Sequence, residues 1–196
     1  MEFESFGLWS SFEVEVDPES PARGWRCPTY TFDQNGVPAP GLDTVGSSLL
    51  VRVTTSSADW VGRFIGGSYV GASRVLATPS PDVCCVVSEG RAYLVDTEVS
   101  PPRAEVVMDY VHSVEGSSEA QLLVLADWTS AAAVGAGGVR WRTDRLAIDD
   151  LVLSSVTASG VFCECDSPGV GGVRRIVLDP LDGHQISGPL LPDHFR

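Results

Sequence analysis

The residues in this 196-residue chain with the chemistry to act on a ligand are three histidines, five cysteines and several arginines set beside tryptophan. His112 stands in Asp109-Tyr110-Val111-His112. If that stretch is a strand, alternation puts Tyr110 and His112 on one face and Asp109 and Val111 on the other. A Tyr–His pair can pass a proton, although a polar strand end at a sheet rim is the plainer reading. The second group is Arg140-Trp141-Arg142, to be read with Asp127-Trp128. Alternation projects Arg140 and Arg142 from one face, where two guanidinium groups can hold an anion bidentately. The plainer reading pairs them with the chain's own carboxylates and leaves Trp141 in the core. Tyr110, His112, Asp127, Trp128, Arg140, Trp141 and Arg142 are therefore the candidate ligand-binding residues, with no catalytic assignment.

Other familiar constellations are missing from the sequence. No G-x-S-x-G elbow is present, so serine-hydrolase chemistry has no support. Gly135-Ala136-Gly137-Gly138 lacks the Lys-Ser/Thr of a phosphate loop, as does the Gly169–Gly172 stretch, and both read as hairpin turns. Asp182-Gly183 lacks calcium-loop spacing, and His184 beside it reads as an ordinary exposed turn residue. Cys27, Cys84, Cys85, Cys163 and Cys165 are odd in number, which argues against a disulfide framework. Cys84 and Cys85, as neighbours in a strand, point to opposite faces, while Cys163 and Cys165 share one. Two-residue spacers and a second ligand pair, the usual marks of zinc, are missing. The expectation is no metal and no cofactor, with Glu164 facing solvent between two inward cysteines.

Charge narrows the partners. Acidic groups number 26 against 13 basic ones, all arginine, for a formal charge of −13. Phosphate backbones repel such a chain, so nucleic acid is not an expected partner. The lack of lysine and the single asparagine, Asn35, fit a GC-rich bacterial coding bias. Hydrophobic content of 43% is enough for a real core in one domain of this length. No apolar run approaches the roughly 20 residues that span a bilayer. The acidic start, Met1-Glu2-Phe3-Glu4, has no basic region leading into an apolar one. A cytoplasmic location with no membrane contact is expected.

The elements that would position these residues are almost all strands. Phe12, Val14 and Val16 alternate with acids as a half-exposed strand does. A Pro-, Gly- and Asp-rich stretch follows to residue 47 and reads as a long loop with one short strand near Tyr30–Phe32. In it Asn35-Gly36 marks a turn, and Pro38-Ala39-Pro40 is expected not to continue a ladder. From Leu49 onward short apolar stretches recur with turn residues between them. These stretches are Leu49–Thr54, Trp60–Ile65, Ser73–Ala77, Val83–Val87, Ala92–Asp96, Val106–Val111 and Leu122–Ala126. They continue with Ala132–Gly135, Val139–Thr143, Leu151–Val156, Val161–Cys165 and Val173–Leu178. Gly116-Ser117-Ser118 reads as a turn, and Thr143–Leu151 as one helical turn capped by Asp144 or a loop carrying Asp149-Asp150.

Three units repeat one plan: an apolar strand, a glycine turn, then an amphipathic strand. They begin at Val83, Leu122 and Val161, with turn glycines roughly 35 to 48 residues apart. Leu178-Asp179-Pro180-Leu181-Asp182-Gly183-His184 looks like a blade-closing turn. The stretch from Asp127-Trp128-Thr129-Ser130 through Trp141-Arg142-Thr143 resembles a family of bacterial proteins built from propeller-blade-like, quinoprotein-like β repeats. The resemblance covers roughly Trp60 to Gly188; it implies a fold and brings no known activity.

The expected architecture is one all-β domain over residues 1–196, an incomplete β-propeller or propeller-like curved β-sandwich of short antiparallel strands. It comprises a loop-rich segment 1–47, a repeated hairpin region 48–188 and a tail 189–196. Closed propellers need at least four blades, and three units leave open edges. The aromatic-rich Phe3–Phe12 segment, or a homodimer through sheet edges, can cover them. The leading functional reading is a non-catalytic binding or interaction module for an unidentified protein or small molecule. The alternatives are a small cofactor-independent biosynthetic enzyme of cyclase or isomerase type with an apolar pocket, and an acidic inhibitor or immunity protein for a basic partner.

Overall fold

The computed structural model describes residues 2–42, 46–67, 71, 73–166 and 172–191. Among them there is no helix, hence none long and apolar enough to cross a membrane. Strands β1 (Phe3–Glu4), β2 (Glu13–Val16), β3 (Thr29–Phe32) and β4 (Pro38–Pro40) come first. Next are β5 (Ser48–Thr54), β6 (Asp59–Ile65), β7 (Arg74–Ala77), β8 (Val83–Ser88), β9 (Arg91–Asp96) and β10 (Arg103–Met108). After these run β11 (Ser113–Ser117), β12 (Leu122–Ala126), β13 (Ala131–Gly135) and β14 (Gly138–Arg142). The last are β15 (Val152–Thr157), β16 (Gly160–Asp166), β17 (Val173–Leu178) and β18 (Gln185–Ser187).

These strands make four sheets, ordered β2-β5-β6-β3-β4, β1-β7-β8-β9-β10, β11-β12-β13-β14 and β15-β16-β17-β18. In that order we call them first to fourth. Three apolar clusters join them in series. Val51, Val53, Trp60 and Phe64 of the first sheet meet Val75, Val86, Tyr93 and Val95 of the second. Cys85, Val87 and Leu94 of the second meet Leu123, Leu125 and Val134 of the third. Val124, Ala133 and Trp141 of the third meet Leu153, Cys163 and Ile176 of the fourth. Among the described residues no cluster joins the fourth sheet back to the first, so the stack is open: an incomplete, propeller-like sandwich.

This layering explains the hydropathy of each strand. A sheet packed on both sides needs apolar residues at consecutive positions. β12 and β13, in the third sheet, are buried at every position. Strands of the end sheets face the core on one side only and alternate, as β5 and β17 do. Cys84 and Cys85 pack into different clusters, as adjacency in a strand requires.

Several expectations need correction. There are four sheets where three repeat units were counted. The first hides from a repeat search because β3 lies parallel to β6, out of sequence order. Pro38-Ala39-Pro40 does join a ladder, with Pro38 opposite Phe32 and Pro40 opposite Tyr30. It sits at the sheet edge, where a residue without an N–H is tolerated. Asp33 shapes the intervening turn, its Oδ1 accepting from the Asn35 and Val37 amides. Gly116-Ser117 lies in β11 and is no turn; of the two readings of Thr143–Leu151, the loop carrying Asp149-Asp150 is the one the structure shows. The β10 strand stops at Met108. The amino-terminal segment does cover an edge, since β1 pairs in parallel with β7. Turn residues 169–171 and His194 lie outside the described residues.

Gly62 shows how tightly the first interface is filled. A β-carbon there would lie 2.9 Å from ring atoms of Phe32, Phe64 and Trp60, and the Phe32 and Phe64 rings stack at 4.4 Å. Gly62→Ala should lower the unfolding free energy by about 1–3 kcal/mol. Urea melts check this as a lower midpoint at an unchanged slope.

Candidate functional site

The strongest site lies on the outer face of the first sheet. Val14, Val53 and Trp60 turn inward, so alternation sends Glu13, Glu15, Arg52, Thr54 and Asp59 outward. In the register Arg52 stands opposite Glu15 on one side and Val61 on the other, while Thr54 faces Asp59. Arg52 and Asp59 are diagonal neighbours, within reach of long side chains. Arg52 Nε donates to Asp59 Oδ1 at 3.2 Å and Nη2 to Oδ2 at 2.9 Å, a two-pronged pair that fixes the guanidinium plane.

The chain then folds across this face. Asp17, with a φ of 48°, donates its amide to the Leu50 carbonyl and turns the chain after β2. Gly24 closes a turn on the Pro21 carbonyl, and Val61 donates to the Pro28 carbonyl. Val61 points outward yet is fully buried. Between the crossing segment and the strands is a cleft of about 470 Å³, lined by residues 21–27 with Arg52 and Asp59. Arg23 and Arg26 are exposed at it, and Trp25 and Cys27 half-buried. A smaller cleft of about 280 Å³, lined by Glu13, Val14, Glu15, Arg52 and Thr54, shares the Arg52 side chain.

Three arginines and one aspartate line the larger cleft, and the aspartate's carboxylate is already engaged by Arg52. The Arg52 hydrogen bonds hold the Asp59 carboxyl below the ordinary range, against an opposing effect of burial. Burial, helped by the Asp59 charge, pushes the Cys27 thiol up. Cys27 is therefore a neutral thiol at neutral pH and a poor nucleophile.

Two other clefts offer less. One of about 360 Å³ includes Arg145, but that side chain donates to the Ala147 and Ile148 carbonyls. One of about 430 Å³ between the second and third sheets sets Arg103 beside Asp96 and Glu105.

The seven residues singled out in the sequence fall into separate settings. His112 stacks on Trp128 with ring centroids 4.1 Å apart and planes 11° apart. Its Nε2 is buried and has no hydrogen-bond partner among the described residues. Tyr110 lies beyond the end of β10 with a φ of 62° and is half exposed, so no strand aligns it with His112. Asp127 accepts from the amides and hydroxyls of Thr129 and Ser130, closing the β12–β13 turn. Trp141 is in the core: its Nε1 donates to the Pro180 carbonyl at 3.1 Å, and its ring presses on Gly183. Arg142 donates to the Val107 carbonyl of the second sheet instead of to a carboxylate.

The expectation that Arg140 and Arg142 share a face is overturned by a β-bulge at Ala133/Val134. The bulge inserts Arg140 as an extra residue and breaks the alternation. A β-carbon on Gly135 would lie 3.1 Å from Arg140 Nε.

Asp179, Asp182 and His184 are the one set of three close metal-ligating groups among the described residues, within 4.8 Å of one another. Hydrogen bonds account for their closeness. Asp182 Oδ1 accepts the His184 amide and lies 2.5 Å from His184 Nδ1, and Asp179 Oδ1 accepts the Leu181 amide.

Sequence reasoning passed over the cleft on the first sheet because its wall lies in a stretch read only as loop. A signal was present: Arg23, Trp25, Arg26 and Cys27 form a small basic and aromatic patch in an acidic chain. Compared with known proteins, the chain matches no family model and no curated protein, so the reading of this cleft rests on its own geometry.

Two outcomes follow from these ionisations. Because the folded pKa of Asp59 lies below its unfolded value of about 4, the pair's stabilisation is complete above that pH. It is lost as pH falls through the folded value. The gap in urea midpoint between the wild type and Asp59→Asn should therefore narrow on acidification, from a small starting value since water screens both groups.

The second outcome concerns the thiols. Burial pushes Cys84 and Cys163 up to about 12 and raises Cys85 and Cys165 as well. A disulfide reagent at neutral pH should label Cys27 alone, slowly, in the native protein, and the other four only on unfolding. Peptide mapping after timed labelling checks this.

Proposed function

We propose that this chain is a binding module that takes a small molecule into the cleft between residues 21–27 and the outer face of the first sheet. The observation that carries the reading is the lining itself. An aromatic residue, Trp25, lines the same cleft as an arginine, Arg52, whose guanidinium plane is already set by Asp59. Its volume of about 470 Å³ falls within the range of small-molecule sites, which join an apolar surface to a few oriented polar groups. Groups that are held in place before the ligand arrives cost little to order on binding. The neutral Cys27 thiol adds a soft apolar surface without offering a strong nucleophile.

A fragment screen by thermal shift, followed by amide NMR of the hits, tests the reading. Hits should shift resonances of residues 21–27 and of Arg52 and Asp59. Trp25→Ala should weaken them by about tenfold or more, the scale of losing one well-packed aromatic contact. Hits that map elsewhere and tolerate Trp25→Ala would overturn it.

A further inference from the structure

Resting on that reading, we infer that the ligand is a small organic anion: a carboxylate or phosphate carried on a flat apolar body. The argument is an accounting of the arginines. Arg52, Arg74, Arg91 and Arg175 are committed to carboxylates. Arg63 donates to the Ser48 hydroxyl. Arg142, Arg145 and Arg174 donate to backbone carbonyls. Among the described residues, Arg23, Arg26, Arg103 and Arg140 alone are left with neither an ion pair nor a hydrogen bond to another group. Two of these line the same cleft, three positions apart, with Trp25 between them in the sequence.

That concentration stands out against a net charge of −13. In a chain with twice as many acids as bases, a guanidinium left free beside a cleft has many carboxylates to meet. Among the described residues, Arg23 and Arg26 are paired with none of them. Their five N–H donors each are thus available to an incoming anion, in the planar fork that fits carboxylate and phosphate oxygens. Asp59 does not oppose such a ligand, because its charge is balanced by Arg52. Glu15, on the wall of the adjoining smaller cleft, lies 3.7 Å from the same Arg52 guanidinium and shares that cation with Asp59.

Trp25 supplies the other half of the recognition. A half-buried indole takes a flat ring or planar chain by stacking and apolar contact. Inorganic phosphate would satisfy the arginines but leave that surface wet, so an organic anion fits the cleft better than an inorganic one. The protein's overall negative potential disfavours large polyanions at any distance, which restricts the class to small molecules of low charge.

Cys27 lines the same cleft, so its alkylation by neutral iodoacetamide reports occupancy. The probes are naphthoate, naphthyl phosphate and the uncharged naphthamide, which share one ring system. One or both anions should slow alkylation saturably at millimolar concentration, and which of them does so identifies the acid group. The amide should bind at least about tenfold more weakly, the scale of a hydrogen bond to a charged group. Arg23→Gln/Arg26→Gln, at exposed positions, should erase the difference between anion and amide and leave the urea midpoint unchanged. Added salt should weaken the anions and leave the amide alone.

Equal protection by the amide, no protection by either anion, or anion protection that survives in the double variant overturns the inference. The unbiased fragment screen judges the cleft itself, so a cleft that binds neutral molecules sinks this inference and leaves the binding reading standing.

Discussion

Cys84, Val86, Tyr93 and Val95 point from the second sheet into the first, while Cys85, Val87, Ala92 and Leu94, from the same strands, point toward the third. This two-sided burial is the constraint on which the rest depends. A sheet with one apolar face needs one neighbour, and a sheet with two needs a neighbour on each side. The second and third sheets both have two, so four sheets must stand in a row. Most of the favourable free energy of folding comes from the apolar area removed from water at the three interfaces.

Directional contacts then fix how the sheets sit. The Tyr93 hydroxyl reaches the carbonyls of Asp33 and Ile65, and the Ser88 hydroxyl donates to the Phe64 carbonyl, both across the first interface. Arg142 ties the third sheet to the second through the Val107 carbonyl. Trp141 ties it to the fourth through Pro180, and the Ser113 hydroxyl accepts the Leu153 amide across the same boundary. Buried Arg174 reaches the Leu146 and Pro189 carbonyls and draws the connector and the chain after β18 together. Each of these bonds satisfies a backbone group, a carbonyl in every case but the Leu153 amide, that would otherwise be costly to bury. Two of the residues that resemble a site in the sequence, Trp141 and Arg142, are thus consumed in joining sheets.

An open row leaves two end faces outside the stack. On the fourth sheet the outward face shows Glu164 paired with Arg175, with Val152 and Val173 exposed nearby. Glu164 faces outward there between Cys163 and Cys165, whose side chains are buried in the core. The outer face of the first sheet is treated differently: the chain doubles back over it, buries Val61, and leaves a cleft floored by an ion pair. The same openness that makes the fold incomplete as a propeller therefore creates the surface on which a binding site is built.

What the sequence determined by itself is local. Alternation and short apolar runs marked most strands from Leu49 onward, often to the residue, as with Leu122–Ala126 and Val173–Leu178. Side-chain direction along a strand follows from backbone geometry alone, so the split of Cys84 from Cys85 and the outward turn of Glu164 were legible. The tertiary structure alone decided what depends on pairing between distant segments. The parallel pairing of β3 with β6 made a fourth sheet, and an edge position let Pro38 and Pro40 join a ladder. A bulge parted Arg140 from Arg142. The cleft belongs to this second kind, since Arg23 and Trp25 come to lie beside Arg52 and Asp59 only when residues 18–28 cross the first sheet. Backbone periodicity carries no record of which strand lies beside which, and a site assembled across that pairing is written only in the folded chain.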